Sequence, residues 1–129
     1  MNHQPLKEPA RRHNQILGRW GEEVAAAFLE RHGYKVLAKN VRTPEGEIDL
    51  IAEFNGELIF CEVKTRKDNL KGFPEEALTD EKMDHMMDSA ESYLSENPQY
   101  GENWRVDVIS VTGNMNDPNP QIEWFENAL

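Results

Sequence analysis

Scarcity sets the first limits on this chain. A single cysteine, Cys61, occurs in 129 residues, so no intramolecular disulfide can form and a cytoplasmic setting is expected. No apolar run is long enough to cross a bilayer, and the N-terminus lacks the apolar core of a signal peptide. Glycine-rich loops able to cradle a phosphate, internal repeats and low-complexity tracts are all missing. The four histidines, His3, His13, His32 and His85, share no metal-ligand spacing with another ligand, so no zinc site is expected. Basic residues are scarce in one half only: residues 67–129 carry four against fourteen acidic, whereas residues 1–66 carry ten of each. The net charge of −10 thus arises entirely beyond residue 66. It excludes a protein that grips nucleic acid over its whole surface, because phosphate contacts need lysine and arginine.

What is present centres on Gly46–Arg66. Two apolar-alternating runs, 47–54 and 57–64, flank Asn55-Gly56, the dipeptide of a two-residue type I′ hairpin. That turn fixes the register, pairing Phe54 with Glu57 and setting Asp49 opposite Glu62 and Glu47 opposite Lys64. Alternation then puts Glu47, Asp49 and Ile51 on one face with Phe60, Glu62 and Lys64. Two carboxylates about 5 Å apart repel by roughly 3 kcal/mol at an effective dielectric near 20. Strand propensity offers nothing in return, but a hard divalent cation such as Mg²⁺ does. Two readings stand side by side: a metal site with an attached ammonium, or a solvated strand face with an ordinary Glu47–Lys64 ion pair. Cys61 points away from that face, toward a packed core.

The rest of the chain supplies a frame. Residues 1–13, with two prolines and no apolar period, read as a flexible arm, and 14–129 as a single domain. A helix over about Asn14–His32 shows one stripe of Ile16, Trp20, Val24, Ala27 and Phe28, and a second of Gly18, Glu22, Ala25 and Leu29. Small residues on the second stripe allow close approach to a sheet and bring Glu22 along; an exposed helical carboxylate is the plainer alternative. Glu23 reads as solvated. Tyr34–Val41 reads as a strand, and a polar loop with Gly72 and Pro74 leads to a helix over about Thr79–Ser95. Thr79 is its N-cap, with Leu78 and Met83 as a hydrophobic staple. Trp104–Thr112 reads as a strand and Gln121–Phe125 as a short edge strand. The expected fold is α/β, a mixed sheet flanked by helices in the order α-β-β-β-α-β-(β), with a right-handed crossover joining a parallel pair.

The ordered set Gly18-x-x-Gly21-Glu22, Gly46-Glu47-Ile48-Asp49-Leu50-Ile51-Ala52 and Glu62-Val63-Lys64-Thr65-Arg66 resembles the small YraN-like bacterial proteins. Gly72-x-Pro74 and Arg105-Val106-Asp107 agree with it, and the resemblance covers about residues 14–112. That family is similar in fold and motif to archaeal Holliday-junction resolvases and to PD-(D/E)xK restriction-endonuclease-like nucleases. The resemblance implies a restriction-endonuclease-like fold and hydrolysis of DNA phosphodiester bonds with Mg²⁺ or Mn²⁺. It implies Asp49 and Glu62 as metal ligands, the Val63 carbonyl as a third, and Glu22 as a ligand or its partner. Lys64 would orient or deprotonate the attacking water, or neutralise the scissile phosphate. Arg66, just past the strand end, would hold a flanking phosphate, an ordinary surface arginine being the plainer alternative. One departure stands out: the segment Leu78–Asp84, which tends to be basic in such proteins, has Lys82 as its only positive side chain. A binding module without turnover, whose DNA affinity comes from a protein partner, is the alternative; whether the chain works as a homodimer stays open.

Overall fold

The computed structural model describes residues 8–68 and 79–128, the side chains of 8–14 excepted. The expected loop with Gly72 and Pro74, the Leu78 half of the staple and the first part of the arm lie outside the described residues. Helix α1 spans Glu8–Arg31. It begins ahead of Asn14 because Pro9 falls in its first turn, where a missing N–H costs nothing. Strands β1 (Lys35–Thr43), β2 (Gly46–Phe54) and β3 (Glu57–Arg66) follow, then α2 (Asp80–Ser95), β4 (Trp104–Thr112) and β5 (Gln121–Phe125). The strands form one sheet in the order β1-β2-β3-β4-β5. β3 and β4 run parallel, as a strand–helix–strand crossover requires, and every other neighbouring pair is antiparallel.

Local chemistry explains the element ends. Asn55 (φ 52°) and Gly56 (φ 82°) both occupy the left-handed region that a type I′ turn needs. Thr79 caps α2 by accepting the Lys82 N–H on its hydroxyl at 3.2 Å. Gly33 (φ 87°) ends α1 in a left-handed turn.

A helix covers each face of the sheet. On the α1 side Ala25 and Leu29 pack on Leu50, Ala52, Ile59 and Cys61. On the other side Ala90 of α2 packs with Ile51, Phe60 and Val106. The second of the two helical stripes is therefore the one that meets the sheet. The first flanks it: Trp20, Val24 and Phe28 are half-buried, and Ile16 is 51% exposed. The small side chains decide this, since they let the helix settle closest to the strands. Gly21 is the extreme case, because a Cβ there would overlap Thr65 Oγ1 of β3.

At the β4–β5 end lies a polar clasp that sequence reasoning missed. Asp107, fully buried, accepts hydrogen bonds from Arg105 Nε (2.9 Å) and Nη2 (3.2 Å), Trp124 Nε1 (2.9 Å) and the Asn127 N–H (2.8 Å). Arg105 also reaches Glu57 (2.7 Å), Tyr34 (3.0 Å) and Glu126 (3.1 Å). Burial opposes the charge on Arg105, but the bonds to Asp107 and Tyr34 outweigh it and raise its pKa.

Candidate functional site

β2 and β3 stay paired from Phe54–Glu57 to Leu50–Cys61 and then part. Beyond that point β2 remains on β1 down to Gly46, and β3 remains on β4 up to Arg66, so the sheet forks. Asp49 sits in the fork. Instead of facing Glu62 across a ladder, its Oδ2 accepts the Val63 N–H at 2.8 Å. The expected register thus ends one pair short of Asp49–Glu62. Glu47 is in register with Arg42 of β1, 3.7 Å from its guanidinium, rather than with Lys64. Lys64 Nζ lies 3.2 Å from Glu62 Oε1 within its own strand. Asp49 engages the amide N–H of Val63, a bond that leaves its carbonyl, the ligand implied by the resemblance, uninvolved.

The cause is visible in β1. Lys39 pairs with Leu50 and Val41 with Ile48, which leaves Asn40 opposite Asp49 with a φ of 52°. A left-handed residue inside a strand upsets alternation. Ile48 accordingly packs on the α2 side and Leu50 on the α1 side, although the two are only two residues apart. The single face expected for all six residues holds for Ile51, Phe60, Glu62 and Lys64 and breaks at Asp49. The available signal was Asn40 itself, a residue disfavoured in strands but tolerant of positive φ.

The fork gathers carboxylates. Burial, followed by the negative charge of Glu62, pushes the Asp49 pKa up to about 7, against the Val63 N–H bond that lowers it. Glu22 and Glu47 add to the same field. Glu22, half-buried on α1, has its own pKa raised by burial and by Glu47 and Glu62, while a hydrogen bond from Asn40 acts in the opposite sense. The close Gly21–Thr65 contact is what lets the next residue, Glu22, reach this field. Glu23 is exposed, as expected.

On the α2 side, Glu47, Glu62 and Lys64 share a cavity of about 210 Å³ with Lys82, His85 and Ser89. Lys82 is therefore brought to the site. His85 joins it too, though its sequence spacing gave no sign of that. Arg66 ends β3 in register with Thr112, and its carbonyl accepts the Gly113 N–H at 2.9 Å. Ser110, the β4 partner of Lys64, has a hydroxyl that is buried and unpartnered among the described residues.

No three His, Cys, Asp or Glu side chains among the described residues converge enough to hold a metal ion as they stand. One oxygen of Asp49 is spent on the Val63 N–H and one of Glu62 on Lys64. The donor chemistry nevertheless fits a hard cation. Asp49 and Glu62 each keep a second oxygen, and Mg²⁺ characteristically takes one or two carboxylates and completes its shell with water. A half-buried carboxylate beside a second one is a place that gains by holding a cation.

Comparison with known proteins yields consistent matches. A family model described as "Uncharacterised protein family UPF0102" matches residues 21–111. A UPF0102 protein of Syntrophomonas wolfei is 42% identical over 116 residues, which cover 90% of this chain and 99% of that one. One from Syntrophotalea carbinolica is 45% identical over 113 residues, 88% and 90% of the two chains. One from Cytophaga hutchinsonii is 47% identical over 97 residues, 72% and 81%. Among solved structures, Pyrococcus furiosus SfsA in complex with Ca²⁺ matches with a TM-score of 0.37 and 13% identity. That match spans 88% of this chain and 63% of that chain.

Proposed function

The chain belongs to the UPF0102 family, and on that premise we propose that it is a metal-dependent endonuclease acting on DNA, in branched or structured forms. One observation carries this reading: a half-buried aspartate, raised toward neutrality by burial and Glu62, with a lysine ammonium 3.2 Å from Glu62 at the mouth of a fork in the sheet. Perturbed carboxylates in a cleft beside a cation are candidates for a functional site. Asp49 and Glu62 would hold Mg²⁺ or Mn²⁺, with Glu22 behind them. The bound ion would lower the pKa of its water and neutralise charge on the scissile phosphate. Lys64 lines the cavity beside Glu62, where its ammonium would orient the attacking water or stabilise the phosphate. Lys82, on the far wall of that cavity, supplies a second positive charge, and Arg66 is proposed to hold a flanking phosphate.

The acidic second half favours a second reading, a binding module of the same fold that needs a protein partner for DNA affinity. Cleavage assays separate the two. Purified protein with Mn²⁺ or Mg²⁺ should cut at least one of a set comprising a four-way junction, a flap and a linear duplex. Asp49→Ala, Glu62→Ala and Lys64→Ala should each lower the rate by about a thousandfold, equivalent to roughly 4 kcal/mol of transition-state stabilisation. Activity that survives all three substitutions removes this site from the chemistry. Salt-sensitive DNA binding without cleavage under either metal supports the second reading.

A further inference from the structure

We propose that Arg19 and Arg42 form a second phosphate-binding site, on the α1 side of the sheet, that holds the nucleic-acid backbone next to the phosphate at Lys64. This deepens the reading above and rests on it for the identity of the ligand. The two arginines, together with Gln15, Asn40 and Glu22, line a cavity of about 460 Å³. Glu47 borders both this cavity and the one that holds Lys64 and Lys82, so the two adjoin at that residue. A backbone crossing the fork would pass from one to the other with cations on either side.

The chemistry of the walls suits a phosphodiester. Arg19 precedes Glu22 by three residues on α1, one turn away, and its charge acts on the Glu22 carboxylate. Arg42 stands across the strand pair from Glu47, and its side chain is 90% exposed with the carboxylate 3.7 Å away. So loose and solvated a pair contributes little to folding, and a phosphate can take the carboxylate's place on the guanidinium fork. Gln15 and Asn40 add uncharged polar groups. Space is available as well, since a Cβ built on Gly18 in the same wall would meet nothing within 4 Å. Both arginines lie in the charge-balanced half of the chain, away from the acidic excess.

DNA binding measured in EDTA, on a short duplex and on its single strand, tests this without cleavage. The Arg19→Ala/Arg42→Ala double variant should flatten the slope of log affinity against log salt by about 1.8 on duplex and about 1.4 on single strand, two phosphate contacts' worth. The Arg19→Lys/Arg42→Lys variant, which keeps the charge, should retain the wild-type slope. Thermal denaturation should show both variants folded, as expected for exposed side chains. A slope unchanged in the alanine variant overturns the site, as does wild-type protein that binds neither DNA. Wild type that never cleaves, combined with a flattened slope in the variant, sinks the nuclease reading and leaves this site standing.

Discussion

Asp49→Asn should be more stable than the wild type at neutral pH and no different from it near pH 4. Asp49 is an acid whose folded-state pKa is raised, from an ordinary 3.8 to about 7, chiefly by burial and then by Glu62. Below pH 4 it is protonated in both folded and unfolded chains and carries no penalty. As pH rises from about 4 to about 7 the unfolded chain ionises this group while the folded chain resists, so folding stability falls through that window. Above pH 7 the whole cost, a few kcal/mol, is present. Asparagine carries no charge at any pH, and its carbonyl oxygen can still accept the Val63 N–H that Asp49 now holds at 2.8 Å. Thermal denaturation of both proteins at pH 4 and pH 7.5 checks the sign. A variant destabilised equally at both values would mean that Asp49 is a structural acceptor and nothing more. Function that costs stability in this way is the usual signature of an active site.

Asp107→Ala should act in the opposite sense, and strongly. Both aspartates lie within strands, but Asp107 accepts four hydrogen bonds where Asp49 accepts that of the Val63 N–H. The substitution would strip Arg105, whose side chain is 16% exposed, of its buried counter-ion. It would also orphan the Trp124 indole N–H and the Asn127 N–H. Arg105 keeps Glu57 and Glu126, so its loss falls below the roughly 3–5 kcal/mol of a fully stranded buried charge, and the stranded N–H groups add about 1–3 kcal/mol each. A fall in melting temperature on the order of 10 °C is expected. The effect should be the same with or without divalent metal, because Asp107 spends both oxygens on Arg105, Trp124 and Asn127. A shift of a degree or two would show that water replaces Asp107 readily.

Comparing the two ends of the sheet shows where the sequence was legible. Asn55-Gly56 specifies its turn because two adjacent positive φ values are a local demand, and Thr79 caps α2 through a bond three residues away. Trp104–Thr112 and Gln121–Phe125 match their expected bounds because nothing competes with their apolar alternation. The choice between the two stripes of α1 was legible only in part. Hydrophobicity marked Ile16 and Trp20, but the small residues Gly21 and Ala25 decided which face could come close. The fork was not legible. It depends on the backbone of Asn40 in a neighbouring strand, so extending the hairpin register from its turn carried Asp49 and Glu47 one step too far. The charge of Glu62 still acts on Asp49, and Lys64 pairs with Glu62, since the strands part only where the carboxylates begin. Asp107 escaped notice for a related reason: Arg105, Trp124 and Asn127 reach it from separate segments, and a lone aspartate inside Arg105-Val106-Asp107 gives no sign of them.

Calorimetric titration of Mn²⁺ into the wild type and into Asp49→Asn at pH 7.5 bears most directly on the fork, and it needs no knowledge of the substrate. The wild type should take up the ion and release protons as it does so, because ligating a carboxylate of raised pKa displaces its proton. The asparagine variant, folded and more stable, should bind at least tenfold more weakly. Equal binding by the two proteins, or none by the wild type, would contradict the assignment of Asp49 as a metal ligand.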